Sequence, residues 1–194
     1  MGMGDAILAA GAAKLAYDST GDKIAIGNGR VVLWNPLYQY NPYLVRDIRR
    51  ERNFIWLRDH PGNRGYIDHP ATKAHPENGP GPKDIKRWIW DFTYSASPAE
   101  IYFTRSEQEL IHRLSAEPYV TVEPNIKTKA SPAKDWPFEY YQDVVNALTN
   151  HIRVYQLLPK HGNQRRLNGV TYVKCDIRQA ACYLKSAKCR TLHM

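Results

Sequence analysis

Met1-Gly2-Met3-Gly4-Asp5-Ala6-Ile7-Leu8 opens the chain, and the small residues Ala9, Ala10, Gly11, Ala12 and Ala13 follow. Apolar side chains at Ile7, Leu8, Ala12, Leu15 and Ala16 recur with helical spacing, so residues 6–18 are expected to be helical. Gly2 and Gly4 form a Gly-x-Gly turn at the helix start. Such a turn offers backbone N–H groups and the positive end of the helix dipole to an anionic ligand. Asp5, in the first turn, is favoured by the same dipole and points into the same cleft. In α/β proteins this turn sits at the carboxyl end of a buried strand. Here only Met1 lies upstream, so the expected unit is Rossmann-like and lacks its first strand.

Working outward, Gly21 is placed to close the helix as a left-handed cap. Residues 23–26 then read as a strand, and 31–34 as a second short extended stretch. Residues 35–41, rich in Asn, Pro and Tyr, read as loop. Residues 43–48 are expected to be a short helix, 53–57 and 65–68 strands, and 69–83 a mobile Pro/Gly/His loop. The aromatic run Trp88-Ile89-Trp90-Asp91-Phe92 is expected in the core or in a cleft wall. Residues 98–103 read as extended. Ser106 with Glu109 has the capping-box spacing for a helix over 106–114.

Beyond Glu117-Pro118 the pattern restarts. Residues 119–124 form an alternating strand ending at Pro124, and a basic loop follows over 125–135. Pro137 starts a helix reaching Leu148, with Tyr140, Val144, Val145 and Leu148 on one stripe. Strands over 152–158 and 170–174 and a helix over 177–186 complete a second β-loop-α-β run. The expected organisation is two domains, residues 1–117 and 118–194, in an α/β fold.

The chain has 194 residues, 43% of them hydrophobic, and a formal charge of +8. With a pI near 9.4, it is suited to anionic partners such as nucleotides, phosphorylated sugars or anionic lipid surfaces. The cations are scattered apart from Arg46-Arg49-Arg50-Arg52 and Arg165-Arg166, so nucleic acid is not the expected partner. No stretch reaches the ~20 apolar residues of a membrane span. Residues 6–16 lack the basic flank of a signal peptide, so a cytoplasmic location is expected. Cys175, Cys182 and Cys189 are an odd number confined to the last 20 residues, and read as reduced thiols without a zinc spacing. His60, His69 and His75, nine and six residues apart, have no metal-ligand pattern. No metal is expected.

Two loop-to-helix stretches carry the chemistry: Gly4-Asp5-Ala6-Ile7-Leu8, and Lys134-Asp135-Trp136-Pro137 after the strand ending Val122-Glu123-Pro124-Asn125. One such loop in each domain is the GT-B arrangement, in which acceptor and nucleotide-sugar donor meet between two Rossmann-like domains. At these residues the sequence resembles glycosyltransferase family nine, the ADP-heptose:lipopolysaccharide heptosyltransferases and their relatives. The resemblance implies an inverting, metal-independent transferase of lipopolysaccharide biosynthesis, moving a heptose-like sugar from a nucleotide-diphosphate donor to a saccharide or glycolipid acceptor. It implies that Asp5 is the general base and that Lys134 binds the donor diphosphate. Gly2 and Gly4 would shape the first loop, and Thr128 and Lys129 would add donor contacts. A glycolipid acceptor implies a place at the inner membrane face.

The chain departs from the family's pattern in two places. Residues 159–164 contain no acid after the strand, leaving Asn163 or Gln164 to stand in its place. Cys189-Arg190-Thr191-Leu192-His193-Met194 lacks the family's glycine-containing donor loop, so the donor domain is expected to be partial. The alternatives are a non-catalytic nucleotide- or nucleic-acid-binding module and a fragment without independent function.

Overall fold

The structure, a computed structural model, describes residues 2–58, 66, 91, 93–125, 136–160 and 164–188. The chain divides into two compact units, Met1–Tyr102 and Phe103–Met194.

In the first unit, α1 (Met3–Thr20) begins after Gly2, whose extended backbone makes it the N-cap. Asp5 accepts the Gly2 N–H at 3.0 Å, which satisfies a donor left orphaned at the helix start. Gly21, at φ 75°, closes the helix as expected and donates its N–H to the Tyr17 carbonyl. The buried face of α1 is Ala6, Ala9, Ala10, Gly11 and Ala13, all small, so neighbouring backbone comes close. The Tyr38 hydroxyl donates to the Ala6 carbonyl at 2.8 Å.

Gly11 marks the closest approach. A Cβ added there would lie 2.0 Å from the Ser97 carbonyl oxygen. Gly11→Ala gains about 1 kcal/mol of helix propensity. Overpacking against a backbone atom, which no rotamer change relieves, costs about 1–3 kcal/mol or more. The clash is expected to win, with a melting temperature several degrees below wild type. Gly4→Ala, where an added Cβ meets nothing within 4 Å, is expected to be neutral or stabilising. Equal melting curves for the two variants would refute the close packing of α1 on residue 97.

Strand β1 (Lys23–Gly27) is buried over its last four residues and pairs in parallel with β2 (Phe54–Arg58), Ile24 opposite Ile55. The Ile24 N–H and carbonyl turn to the other edge, where they bond to the Tyr43 carbonyl and the Val45 N–H at 2.8 Å each. Residues 43–45 are therefore extended and parallel to β1, not the helix expected over 43–48. Three consecutive buried side chains, Tyr43, Leu44 and Val45, suit a strand covered on both faces, and tertiary pairing decides the matter. Within 31–34 only Val32 bridges, antiparallel to Gly27. Residues 35–41 contain a single 3-10 turn, Pro36–Tyr38, capped by Asn35. The core gathers Ala6, Ala13, Ile24, Ile26, Tyr38 and Tyr43, with Tyr17 stacked on Tyr43 at 5.2 Å. Of the strand expected over 65–68, only Tyr66 lies within the described residues, and it is in a turn. The loop expected over 69–83 lies outside them, as does the aromatic run 88–92 apart from Asp91.

The second unit begins with α2 (Arg105–Leu114). Its cap is Thr104 with Glu107, not Ser106 with Glu109. Both pairs have the same spacing, but Thr104 and Glu107 exchange bonds at 3.2 and 2.8 Å, and Arg178 fixes the same carboxylate. Those contacts tie α2 to the second unit, and the division precedes the helix instead of falling at Glu117-Pro118.

Strands β3 (Tyr119–Thr121), β4 (Arg153–Pro159) and β5 (Thr171–Cys175) form a parallel sheet in that order. Val120 and Val154 face α3 (Phe138–Leu148) through Tyr141 and Val145. Alternation turns Tyr119 and Tyr155 to the opposite face, against Tyr183 of α4 (Ile177–Ser186). Helices thus cover both faces of a parallel sheet, the layering of a Rossmann-like α/β class. After α4 the Lys188 N–H bonds to the Tyr119 carbonyl at 3.1 Å, so the chain has crossed from β5 back to the β3 edge.

Among the described residues, the β4–β5 connection has no helix. Side-chain amides satisfy its backbone instead. Gln156, fully buried, donates to the Arg165 carbonyl and accepts the Leu167 N–H. Asn125 brackets Arg165, and Gln142 brackets Asn168.

Candidate functional site

Two places bring functional groups together, one in each unit. In the first unit, the start of α1 fixes Asp5. Its Oδ2 accepts the Gly2 N–H, and its Oδ1 accepts the Tyr66 hydroxyl at 2.5 Å. The Gly2 and Tyr66 donors thus hold the half-buried carboxylate at the positive end of the helix. Tyr66 is itself anchored, its carbonyl accepting the Asp91 N–H at 3.0 Å and its ring 6.2 Å from that of Tyr94. The Asp91 carboxylate turns to Thr93, whose hydroxyl and N–H hold it below the usual carboxylate range. Gly2 leaves little room for a side chain: a Cβ there would lie 3.1 Å from Asp5 Oδ2. Since Asp5 brings its own negative charge to this helix end, the arrangement offers a fixed base more readily than an anion cradle.

In the second unit, a pocket of about 300 Å³ opens at the carboxyl ends of the parallel strands. Thr121 lines it from the end of β3 and Val122 and Glu123 from the residues that follow, Leu157 and Leu158 from β4, and Cys175 from β5. Ile177, Ala180 and Leu184 of α4 complete an apolar wall, with Asp176 at the helix start. Asp176 caps α4: its carboxylate accepts the Gln179 N–H at 2.9 Å and, with Lys160 3.2 Å away, sits below its ordinary pKa. Glu123 accepts the Asn125 N–H at 2.7 Å. Burial pushes the Cys175 thiol up, so it stays protonated near neutral pH and is no nucleophile. Nearby, the Arg165 guanidinium donates to the Pro124 carbonyl at 2.8 Å and lies 5.0 Å over the Phe138 ring, bringing a cation to the first residue of α3.

No family model, curated protein or solved structure matches the chain.

A fixed carboxylate at hydrogen-bond reach of an incoming hydroxyl is suited to proton abstraction. An apolar slot with two carboxylates at its rim suits a flat ring carrying hydroxyls, and its charge disfavours a phosphate beside Glu123 and Asp176. The carboxyl end of a parallel sheet is where α/β folds place ligands.

α1 starts at Met3 and not at residue 6, so Gly2 is its N-cap and Gly4 lies with Asp5 in its first turn, not in a Gly-x-Gly turn ahead of the helix. Thr128, Lys129 and Lys134 lie outside the described residues, as do Asn163 and the histidines 60, 69, 75 and 193. Gln164 is half-buried in the β4–β5 connection. Sequence reasoning missed Tyr66 and Asp176. Tyr66 gives no local signal, being 61 residues from Asp5. Asp176 did give one, the D-x-x-Q capping spacing ahead of Ile177. Among the described residues, no group of three His, Cys, Asp or Glu side chains could hold a metal ion. Nor is any helix among them long and apolar enough to cross a membrane.

Proposed function

We propose that the chain is a GT-B-type glycosyltransferase that moves a heptose-like sugar from a nucleotide-diphosphate donor to a saccharide or glycolipid acceptor at the cytoplasmic membrane face. The observation that carries the reading is the Asp5 carboxylate, held by Gly2 and Tyr66 at a helix start. Asp5 takes the proton of the acceptor hydroxyl. That oxygen bonds to the anomeric carbon from the face opposite the diphosphate. The bond from carbon to diphosphate oxygen breaks, and its electron pair leaves with the nucleotide, so configuration inverts. Lys134 and the α3 N-terminus absorb the charge that develops on the leaving group, and the reaction needs no metal. The pocket of the second unit takes the nucleoside half, with Glu123 and Asp176 accepting ribose hydroxyls and Leu157, Ala180 and Leu184 covering the base.

Calorimetric titration with ADP- and UDP-sugars, paired with a transfer assay on saccharide acceptors, tests this. Binding with transfer supports it. No binding at millimolar nucleotide would sink it. The pocket lies wholly in the second unit, which favours a second reading, a nucleotide-binding module without catalysis. Tight binding with no transfer to any acceptor would select that one.

A further inference from the structure

We infer that Tyr66 is a positioning residue for the base, an inference that rests on the transferase reading. Each oxygen of the Asp5 carboxylate accepts from the chain: Oδ2 from the Gly2 N–H at 3.0 Å, Oδ1 from the Tyr66 hydroxyl at 2.5 Å. The first bond comes from a residue three positions away on the same turn. The second, reaching from the far side of the sequence, fixes the carboxylate's rotation about its Cβ–Cγ axis. Tyr66 is rigid enough for the task because it is tied at its carbonyl to Asp91 and at its ring to Tyr94. Tyr66 acts through Asp5 and takes no proton from substrate.

The test is a double-mutant cycle on donor turnover with the full chain and an ADP- or UDP-sugar. Tyr66→Phe keeps the ring and removes the hydroxyl. It is expected to lower kcat about 10- to 100-fold, the scale of a misplaced reacting group, with the donor KM unchanged. In an Asp5→Asn background the same change is expected to have no further effect. Unchanged kcat for Tyr66→Phe, or an equal loss in both backgrounds, overturns the assignment while the transferase reading stands. A wild-type chain that binds nucleotide and transfers no sugar overturns both.

Discussion

Asp5→Asn is expected to lower sugar transfer by about 10²- to 10⁴-fold, the range supplied by a positioned general base. The substitution is nearly isosteric and the local bonding survives it. The asparagine carbonyl oxygen replaces Oδ2 as acceptor of the Gly2 N–H. The amide nitrogen then faces Tyr66, whose hydroxyl turns from donor to acceptor. What is lost structurally is a charge at the helix start, about 0.3–1 kcal/mol. The melting temperature is therefore expected to fall only slightly while turnover collapses, and nucleotide affinity is expected to hold because the pocket proposed for the donor belongs to the other unit. Steady-state kinetics with a thermal melt checks this. Transfer by the asparagine variant within a factor of two of wild type would remove Asp5 from the reaction.

How far the sequence could be read depended on how local each determinant was. The helix ends were legible because caps are short-range chemistry: Gly21 closes α1, Pro137 precedes α3, and α4 spans Ile177–Ser186 as expected. Strands β1, β2, β4 and β5 lie within one residue of the expected spans, since a buried parallel strand is a short apolar run bounded by turns, whereas β3 ends at Thr121, three residues before Pro124. Residues 43–45 were misread because only pairing with Ile24, far along the chain, distinguishes them from a helical turn. The α2 cap was misplaced because Thr104–Glu107 and Ser106–Glu109 have identical spacing, and the choice is made by Arg178 on a distant helix. The same locality limit governs the site. Asp5 announces itself beside two glycines, whereas its partner Tyr66 is brought in by tertiary structure alone. The β4–β5 connection reads as a polar loop over 159–168, but the three amides that hold its backbone, from β4, α3 and the β3 loop, are brought there by tertiary structure alone.

The Arg178–Glu107 pair is where that long-range determination should be most costly to disturb. Both guanidinium bonds measure 2.7 Å, and the side chains are only 11% and 18% exposed. The Arg178 bond, joined by the Thr104 N–H and hydroxyl, holds the Glu107 carboxyl at about 2 against an ordinary 4.5. A lowered folded-state pKa means that the stabilisation is complete above the unfolded value and is lost as pH falls from 4.5 towards 2. At about 1.4 kcal/mol per unit, that shift corresponds to roughly 3 kcal/mol. Breaking a buried pair from one side costs about 3–5 kcal/mol. Arg178→Met is therefore expected to destabilise the second unit by about 3 kcal/mol at pH 7, Thr104 retaining part of the carboxylate's support. Glu107→Gln/Arg178→Met together should cost less than Arg178→Met alone, because no unpaired charge remains and glutamine still accepts the Thr104 N–H. Melts from pH 7 to pH 3 check the sign: the gap between Arg178→Met and wild type narrows as Glu107 begins to protonate. A gap independent of pH, or a double variant as unstable as the single, would show that α2 is held to α4 by packing and not by this charge.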